Sequence, residues 1–151
     1  MSDGRLAWSQ QRELMTMQLT SVKLEQTAIG QALTKFIFGD ASLFDLISDD
    51  IDFRIEHFRD ETDTSWQRAN SREALMAVIT QLGQEVFPKG TEALGLEVFA
   101  LGDGWHLTRF EQQFFYGLRQ RDVVSRTIIV SHETDGLLDF FRETVTAVTN
   151  V

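Results

Sequence analysis

Two Asp-Gly pairs in the last third of the chain constrain its fold more than any other feature. Asp103-Gly104 and Asp135-Gly136 each separate runs rich in Phe, Thr, Val and Ile. An Asp-Gly pair between such runs is a strong hairpin signal, because both turn residues then adopt a positive φ. The pattern predicts four antiparallel strands: Leu94 to Leu101, Trp105 to Tyr116, Val123 to Glu133 and Leu137 to Val145.

The C-terminal run also admits a helical interpretation. Leu138, Phe141, Val145 and Val148 fall at helical spacing. We favour a strand, because Phe, Thr and Val prefer strands and an Asp-Gly turn comes directly before the run.

The first two thirds of the chain are mainly helical in pattern. We expect an N-terminal helical arm over residues 1–20 and a single domain over residues 21–151. The domain elements are predicted in this order: a helix from Ser21 to Phe38, a short helix from Ala41 to Ile47, a strand from Ile51 to Phe58, a polar loop from Arg59 to Asn70 and a third helix from Ser71 to about Pro88. Helices followed by a meander of strands indicate an α+β fold, with the helices against one face of a mostly antiparallel sheet.

Composition excludes several classes of protein. The chain has no cysteine, which removes disulfides and thiolate sites, and its net charge of -9 disfavours nucleic acid and anionic membranes as partners. No apolar run approaches the ~18 residues of a spanning helix, and the first residues lack the basic and apolar regions of a signal peptide. We therefore expect a cytoplasmic protein that binds neither nucleic acid nor membrane.

No metal or cofactor is expected from the motifs. His57, His106 and His132 do not share an element with ligand spacing, and Asp60-Glu61-x-Asp63 lacks the glycine and terminal glutamate of a calcium loop. The chain also has no phosphate-binding glycine loop and no nucleophile elbow.

Pairing outward from the turns predicts which charged residues share a sheet face. A two-residue turn at Asp135-Gly136 sets Ile128 opposite Glu143, and a four-residue loop over 118–121 sets Glu111 opposite Ile128. These three residues would form one row across three strands, with the two carboxylates ~9–10 Å apart at the backbone.

Arg109 and Arg126 would lie diagonally beside this row, within reach of both acids. Inside an apolar cavity, burial would raise one carboxyl pKa and an arginine would lower the other, which suits a general acid and a general base. On the outer face, the same residues would form a salt ladder of roughly 0.2–1 kcal/mol per pair without catalytic meaning. Both interpretations stay open.

Several short motifs, in their order and spacing, resemble the SnoaL-like branch of the nuclear transport factor 2-like superfamily over roughly residues 20 to 148. The motifs are Phe38-Gly39-Asp40, Ile47-Ser48-Asp49-Asp50-Ile51, Arg72-Glu73-Ala74, Thr134-Asp135-Gly136 and Phe141-Arg142-Glu143. The resemblance implies a cone-shaped, curved, mostly antiparallel sheet packed against three helices around a ligand cavity (the cystatin-like or nuclear transport factor 2-like α+β barrel), usually in a homodimer. This cone serves isomerases, dehydratases, epoxide hydrolases, cyclases and non-catalytic subunits, so the fold does not choose the function.

The epoxide-hydrolase branch of this family implies an acid-arginine-acid set, to which Arg109-x-Glu111 and Glu143 are similar. That branch places polar, water-positioning residues where this chain has Phe53 and Ile55. The steroid-isomerase branch would place its general base at Ile55 as well, so its chemistry is not expected.

We therefore expect a protein that binds a small, mainly apolar carbonyl, hydroxyl or epoxide compound. The catalytic candidates are Glu143, Glu111, Arg109 and Arg126, and the ligand-binding candidates are Phe53, Ile55, His57, Ile128 and Phe141. His57 is either a proton shuttle at the cavity mouth or a hydrogen-bonded structural histidine. Two functions stay open: a hydrolase, dehydratase or isomerase, and a non-catalytic binding or scaffold subunit whose pocket is filled by its own Phe side chains.

Overall fold

The computed structural model describes residues 19–57 and 67–151. Its strands are β1 (Thr20–Val22), β2 (Ile47–His57), β3 (Arg68–Ala69), β4 (Thr91–Gly102), β5 (Trp105–Tyr116), β6 (Arg121–Thr134) and β7 (Leu137–Asn150). Its helices are α1 (Ala28–Ile37), α2 (Arg72–Gln81), the 3-10 segments Leu24–Gln26 and Ala41–Leu46, and a π-helical turn, Leu82–Val86, that continues α2.

The strands form one sheet in the order β1-β4-β5-β6-β7-β2-β3. The pairing is antiparallel throughout, except that β2 runs parallel to β7. This arrangement confirms the predicted α+β class and the cone of curved, mostly antiparallel sheet packed against helices. The sheet is open, with β1 and β3 as its edges, and the long-range pairing of β2 with β7 brings the first predicted strand beside the last.

Both Asp-Gly hairpin predictions are confirmed. Asp103 and Gly104 have φ values of 55° and 83°, and Asp135 and Gly136 have values of 54° and 79°. Positive φ at both central residues is the geometry of the type I′ turn, whose twist matches that of the flanking strands. The C-terminal run is a strand, as we favoured, and it extends to Asn150.

A β-bulge early in β7 changes the pairing expected from the second turn. Leu138 pairs with Glu133 and Phe140 pairs with His132, so Asp139 is an extra residue opposite no partner. One extra residue moves the side chains that follow it to the opposite face of the sheet, here as far as Thr146, which is a second extra residue of β7.

Glu143 consequently pairs with Ile129, which is fully buried, and not with Ile128. Glu111 pairs with Arg126 and not with Ile128, because the centre of the turn between β5 and β6 lies one residue earlier than expected. The partner of each β5 residue therefore changes by two positions, and an even change leaves every side chain on the predicted face. The predicted row of Glu111, Ile128 and Glu143 is therefore wrong, and Glu143 faces the opposite way from the other two.

Helix α1 begins at Ala28, later than the predicted Ser21. The Thr27 side chain caps the helix, with its Oγ1 accepting a hydrogen bond of 3.0 Å from the Gly30 N–H. A second N–H of the first turn, that of Ala28, donates to Glu133 Oε1 on the sheet at 3.0 Å. Two of the N–H groups that a helix start leaves unpaired are thus satisfied, and the cap explains why the helix starts here.

The predicted loop and the predicted N-terminal arm lie partly or mostly outside the described residues. The predicted loop over 59–70 ends in strand β3, which pairs with β2. Most of the N-terminal arm and the acidic motif at Asp60 lie outside the described residues, so the arm and the domain boundary stay predictions. Within 19–57 and 67–151, no helix is long and apolar enough to cross a membrane.

Candidate functional site

A cavity of about 110 Å³ lies between the inner face of the sheet and the helices. Its lining is mainly apolar, and the helical part includes Ile29, Ala32, Leu33, Leu75, Ile79, Leu82 and Val86. An apolar protein cavity of roughly 150 Å³ binds benzene. The size and lining of this cavity therefore suit a compact, mainly apolar molecule.

Phe53, Ile55, His57 and Phe141, all predicted to bind ligand, line this cavity. Phe53 and Phe141 are cross-strand partners whose rings stack with their centroids 4.7 Å apart. They occupy one wall, and a cavity of about 110 Å³ remains beside them. Ile128 is 44% exposed on the outer face, so its predicted place in the pocket is wrong.

The four catalytic candidates are divided between the two faces of the sheet. Glu143 lines the cavity. Arg126 Nε instead donates to Glu111 Oε2 at 3.0 Å, and Arg109 Nη1 lies 3.6 Å from Glu97 Oε1, with the two arginine side chains 61% and 72% exposed. These three candidates form the outer salt ladder, and the bulge at Asp139 is the reason that Glu143 does not join them.

Among the described residues, Glu143 is the one carboxyl group that lines the cavity. Burial raises the pKa of its side chain from 4.5 to about 7, and no described residue forms a hydrogen bond or an ion pair with it. It lines the cavity beside its cross-strand neighbour Ile55. A carboxyl group with a pKa near 7 is present in both protonation states at neutral pH, so it can accept or donate a proton.

Comparison with solved structures identifies this architecture. An NTF2-like protein from Anabaena variabilis matches 80% of this chain and 87% of its own at a TM-score of 0.62 and 11% identity. A protein described as a SnoaL-like polyketide cyclase, from Mesorhizobium loti, matches 81% and 98% at a TM-score of 0.54 and 13% identity. An LEH-like epoxide hydrolase from M. tuberculosis matches 78% and 79% at a TM-score of 0.58 and 15% identity.

The chain has the nuclear transport factor 2-like fold. These neighbours agree with the SnoaL-like resemblance seen in the sequence, and their descriptions differ in activity although the architecture is shared, so the fold does not determine the reaction. No family model matches the sequence, and no curated protein matches it significantly.

Further polar side chains line the NTF2-like cavity on both sides of Glu143. Gln112, Ser125 and Tyr116 come from β5 and β6, and Gln112 Oε1 already accepts a hydrogen bond of 2.7 Å from Thr91 Oγ1. Gln67 comes from the segment that leads into β3. Within residues 19–57 and 67–151, no group of three His, Asp or Glu side chains could hold a metal ion.

Sequence reasoning missed Gln67 as a cavity residue. It was assigned to a polar loop, and the strand that follows it contains only two residues. A strand of this length shows no periodicity. The position of Gln67 is set by its backbone carbonyl, which accepts a hydrogen bond of 3.0 Å from the Ile55 N–H.

Proposed function

We propose that this protein binds a small, mainly apolar carbonyl or hydroxyl compound in the cavity and transfers a proton to or from it through Glu143. The observation that carries this proposal is the carboxyl group in an apolar cavity, with burial raising its pKa to about 7 and no described partner. Perturbed carboxyls in clefts are frequent at catalytic sites.

The geometry favours isomerisation or dehydration over hydrolysis of an epoxide. A single carboxyl can take a proton from one atom of a bound molecule and return it to another, acting as base and then as acid. Epoxide opening by water needs a second polar group to direct the water. Phe53 and Ile55, which stand where the epoxide-hydrolase branch has its water-positioning residues, are apolar, and Arg109 and Glu111 of the expected acid-arginine-acid set lie on the outer face.

Proton transfer can be tested without knowledge of the physiological substrate. Small cyclic and branched ketones would be incubated with the protein in D₂O, and deuterium incorporation beside the carbonyl would be followed by NMR. We expect exchange above the buffer rate, rising with pH around 7, and its loss in Glu143→Gln. Glu111→Gln is the matched control, because it removes the same kind of side chain from the outer face.

If Glu143→Gln exchanges deuterium as fast as the unaltered protein, Glu143 is not the proton-transferring group. Binding of the same ketones, measured by thermal shift, separates this failure from failure to bind.

A non-catalytic binding subunit is the second candidate function. It is favoured by the absence of a second acid or base in contact with Glu143 among the described residues. This candidate predicts ketone binding that stabilises the protein, without any deuterium exchange.

We also propose a homodimer and a cytoplasmic location. The dimer is supported by the resemblance and by Ile128, a large apolar residue exposed on the outer face of the sheet. The location is supported by the lack of cysteine. Fractionation of cells tests the location, and sedimentation of the full chain tests the oligomeric state.

A further inference from the structure

Gln67 and Glu143 occupy one row of the sheet, on either side of Ile55. The pairing of β2 with β3 sets Phe53 opposite Ala69, and its continuation sets Ile55 opposite Gln67, where the backbone hydrogen bond forms. On its other edge, Ile55 is the partner of Glu143. Two strand spacings separate the amide from the carboxyl residue at the backbone, about 9.6 Å. All three side chains line the cavity.

The side-chain amide of Gln67 has an unmet hydrogen bond. Gln67 is 4% exposed, and its Oε1 is buried without a partner among the described residues. Leaving such a group unpaired destabilises the folded protein, and a ligand that supplies the missing hydrogen bond recovers this loss. In the opposite orientation of the amide, its NH₂ group would occupy the place of Oε1.

Other buried polar atoms do not point to a ligand in the same way. Thr108 Oγ1 and Ser131 Oγ also lack partners in the described part of the chain, but neither residue lines the cavity. Gln112, the other cavity glutamine, has its Oε1 engaged by Thr91. Gln67 therefore combines a buried amide oxygen without a described partner, a place on the cavity wall and a shared row with the carboxyl group.

We propose that Gln67 is a ligand-binding residue that hydrogen bonds to a hydroxyl group of the bound molecule, positioned over Ile55 and facing Glu143. This inference rests on the proposed function and narrows the ligand class to small apolar alcohols, enols and phenols. A hydroxyl group both donates and accepts, so it satisfies the amide in either orientation and leaves one hydrogen bond for Glu143. The apolar side chain of Ile55, which lies between the two polar residues, would contact the carbon skeleton of the bound molecule.

Phenol and toluene form a matched pair of probes that differ in one hydroxyl group. Their dissociation constants would be measured by calorimetry at pH 5.5, where Glu143 is mainly protonated, for the unaltered protein, Gln67→Met and the control Gln113→Met. Methionine keeps the length of glutamine without its hydrogen bonds. Gln113 does not line the cavity, so it controls for the general effect of the substitution.

We expect Gln67→Met to reduce the preference for phenol over toluene about tenfold, the equivalent of one hydrogen bond of about 1.4 kcal/mol. Gln113→Met should leave this preference unchanged. If both probes bind and Gln67→Met has an unchanged preference, Gln67 does not contact the hydroxyl group, and the proposed function stands without this inference. If neither probe binds, both are overturned.

A second measurement covers the case in which Gln67→Met does not fold. The side-chain amide resonances of Gln67 in the unaltered protein should move on addition of phenol and much less on addition of toluene. Equal movement with both probes would contradict a hydrogen bond to the hydroxyl group.

Discussion

At the scale of the residue, Glu143 is costly to the fold. Its carboxyl group is buried among apolar side chains, without a partner in the described part of the chain. A pKa that rises from 4.5 to about 7 corresponds to about 3 kcal/mol of lost stability when the group is ionised. A group that destabilises its own protein in this way is typical of functional sites, where activity and stability compete.

We expect Glu143→Gln to be more stable than the unaltered protein at pH 8. The folded protein holds the Glu143 proton more tightly than the unfolded chain, so the penalty starts near pH 4.5, grows as the pH rises and is complete above about 7. Removing it should raise Tm by about 6–12 °C at pH 8. At pH 4 the group is mostly protonated in both states, so the two proteins should differ little. An equal difference in Tm at both pH values would show that titration of Glu143 is not its cause.

At the scale of the element, the start of β7 decides the chemistry of the cavity. The extra residue, Asp139, is held at both oxygens: His132 Nδ1 lies 2.7 Å from Oδ1, and Thr134 Oγ1 donates to Oδ2 at 2.7 Å. His132 Nε2 also lies 2.9 Å from the Asp103 carbonyl of the neighbouring hairpin. Because both ring nitrogens face acceptors, the doubly protonated ring fits best. The cluster of His132, Thr134 and Asp139 thus holds the bulge that turns Glu143 inward.

We expect Asp139→Asn to lower the pKa of His132. The hydrogen bond to Asp139 is the largest of the effects that raise this pKa, ahead of the Asp103 carbonyl and the charge of Glu133. The imidazole titration can be followed directly by NMR. Thr134→Val is the control, because Thr134 touches Asp139 and not the ring. An unaltered His132 titration in Asp139→Asn would mean that Asp139 does not stabilise the charged ring.

The same contact should make the bulge sensitive to alkaline pH. Since the folded state raises the pKa of His132, its stabilising contribution is complete below the ordinary value of 6.5 and is lost as the pH rises through the folded pKa. Amide hydrogen exchange at Phe140 and Phe141 should therefore become faster as the pH rises above the folded pKa of His132, beyond the intrinsic effect of pH on exchange.

At the scale of the whole molecule, the two faces of the sheet differ: one lines the cavity and the other is exposed. Its inner face and the helices enclose the cavity, and its outer face carries the ion pairs of Arg109 and Arg126 around the exposed Ile128. An apolar residue at the centre of charged neighbours is a common arrangement for an interface core and its rim.

We expect a dimer that uses this outer face. Sedimentation of the full chain at micromolar concentration should give the mass of two subunits, and Ile128→Arg should shift it toward the monomer. Leu118→Arg, at a similarly exposed leucine in the turn between β5 and β6, should not. A monomer in the unaltered protein would contradict the proposal.

Local patterns in the sequence were sufficient for most of the elements. Strand β5 has the predicted bounds, both Asp-Gly turns form, and Phe53, Ile55 and Phe141 lie on the inner face. These features depend on alternation and on backbone preferences over a few residues, which a single sequence displays. The α+β class followed from their order.

Local patterns could not predict three features of the site. These are the sheet face of Glu143, the row that it shares with Gln67, and its separation from the salt ladder on the outer face. Asp139 looks like any other residue of an alternating strand, and its bulge depends on His132 and Thr134 across the hairpin. One such residue reverses the side chains that follow it, in β7 as far as the second extra residue, Thr146. The pairing of β2 with β7 joins segments far apart in sequence. Such long-range contacts form only when the whole chain packs. The same packing buries Glu143, and this burial raises the pKa of its carboxyl group.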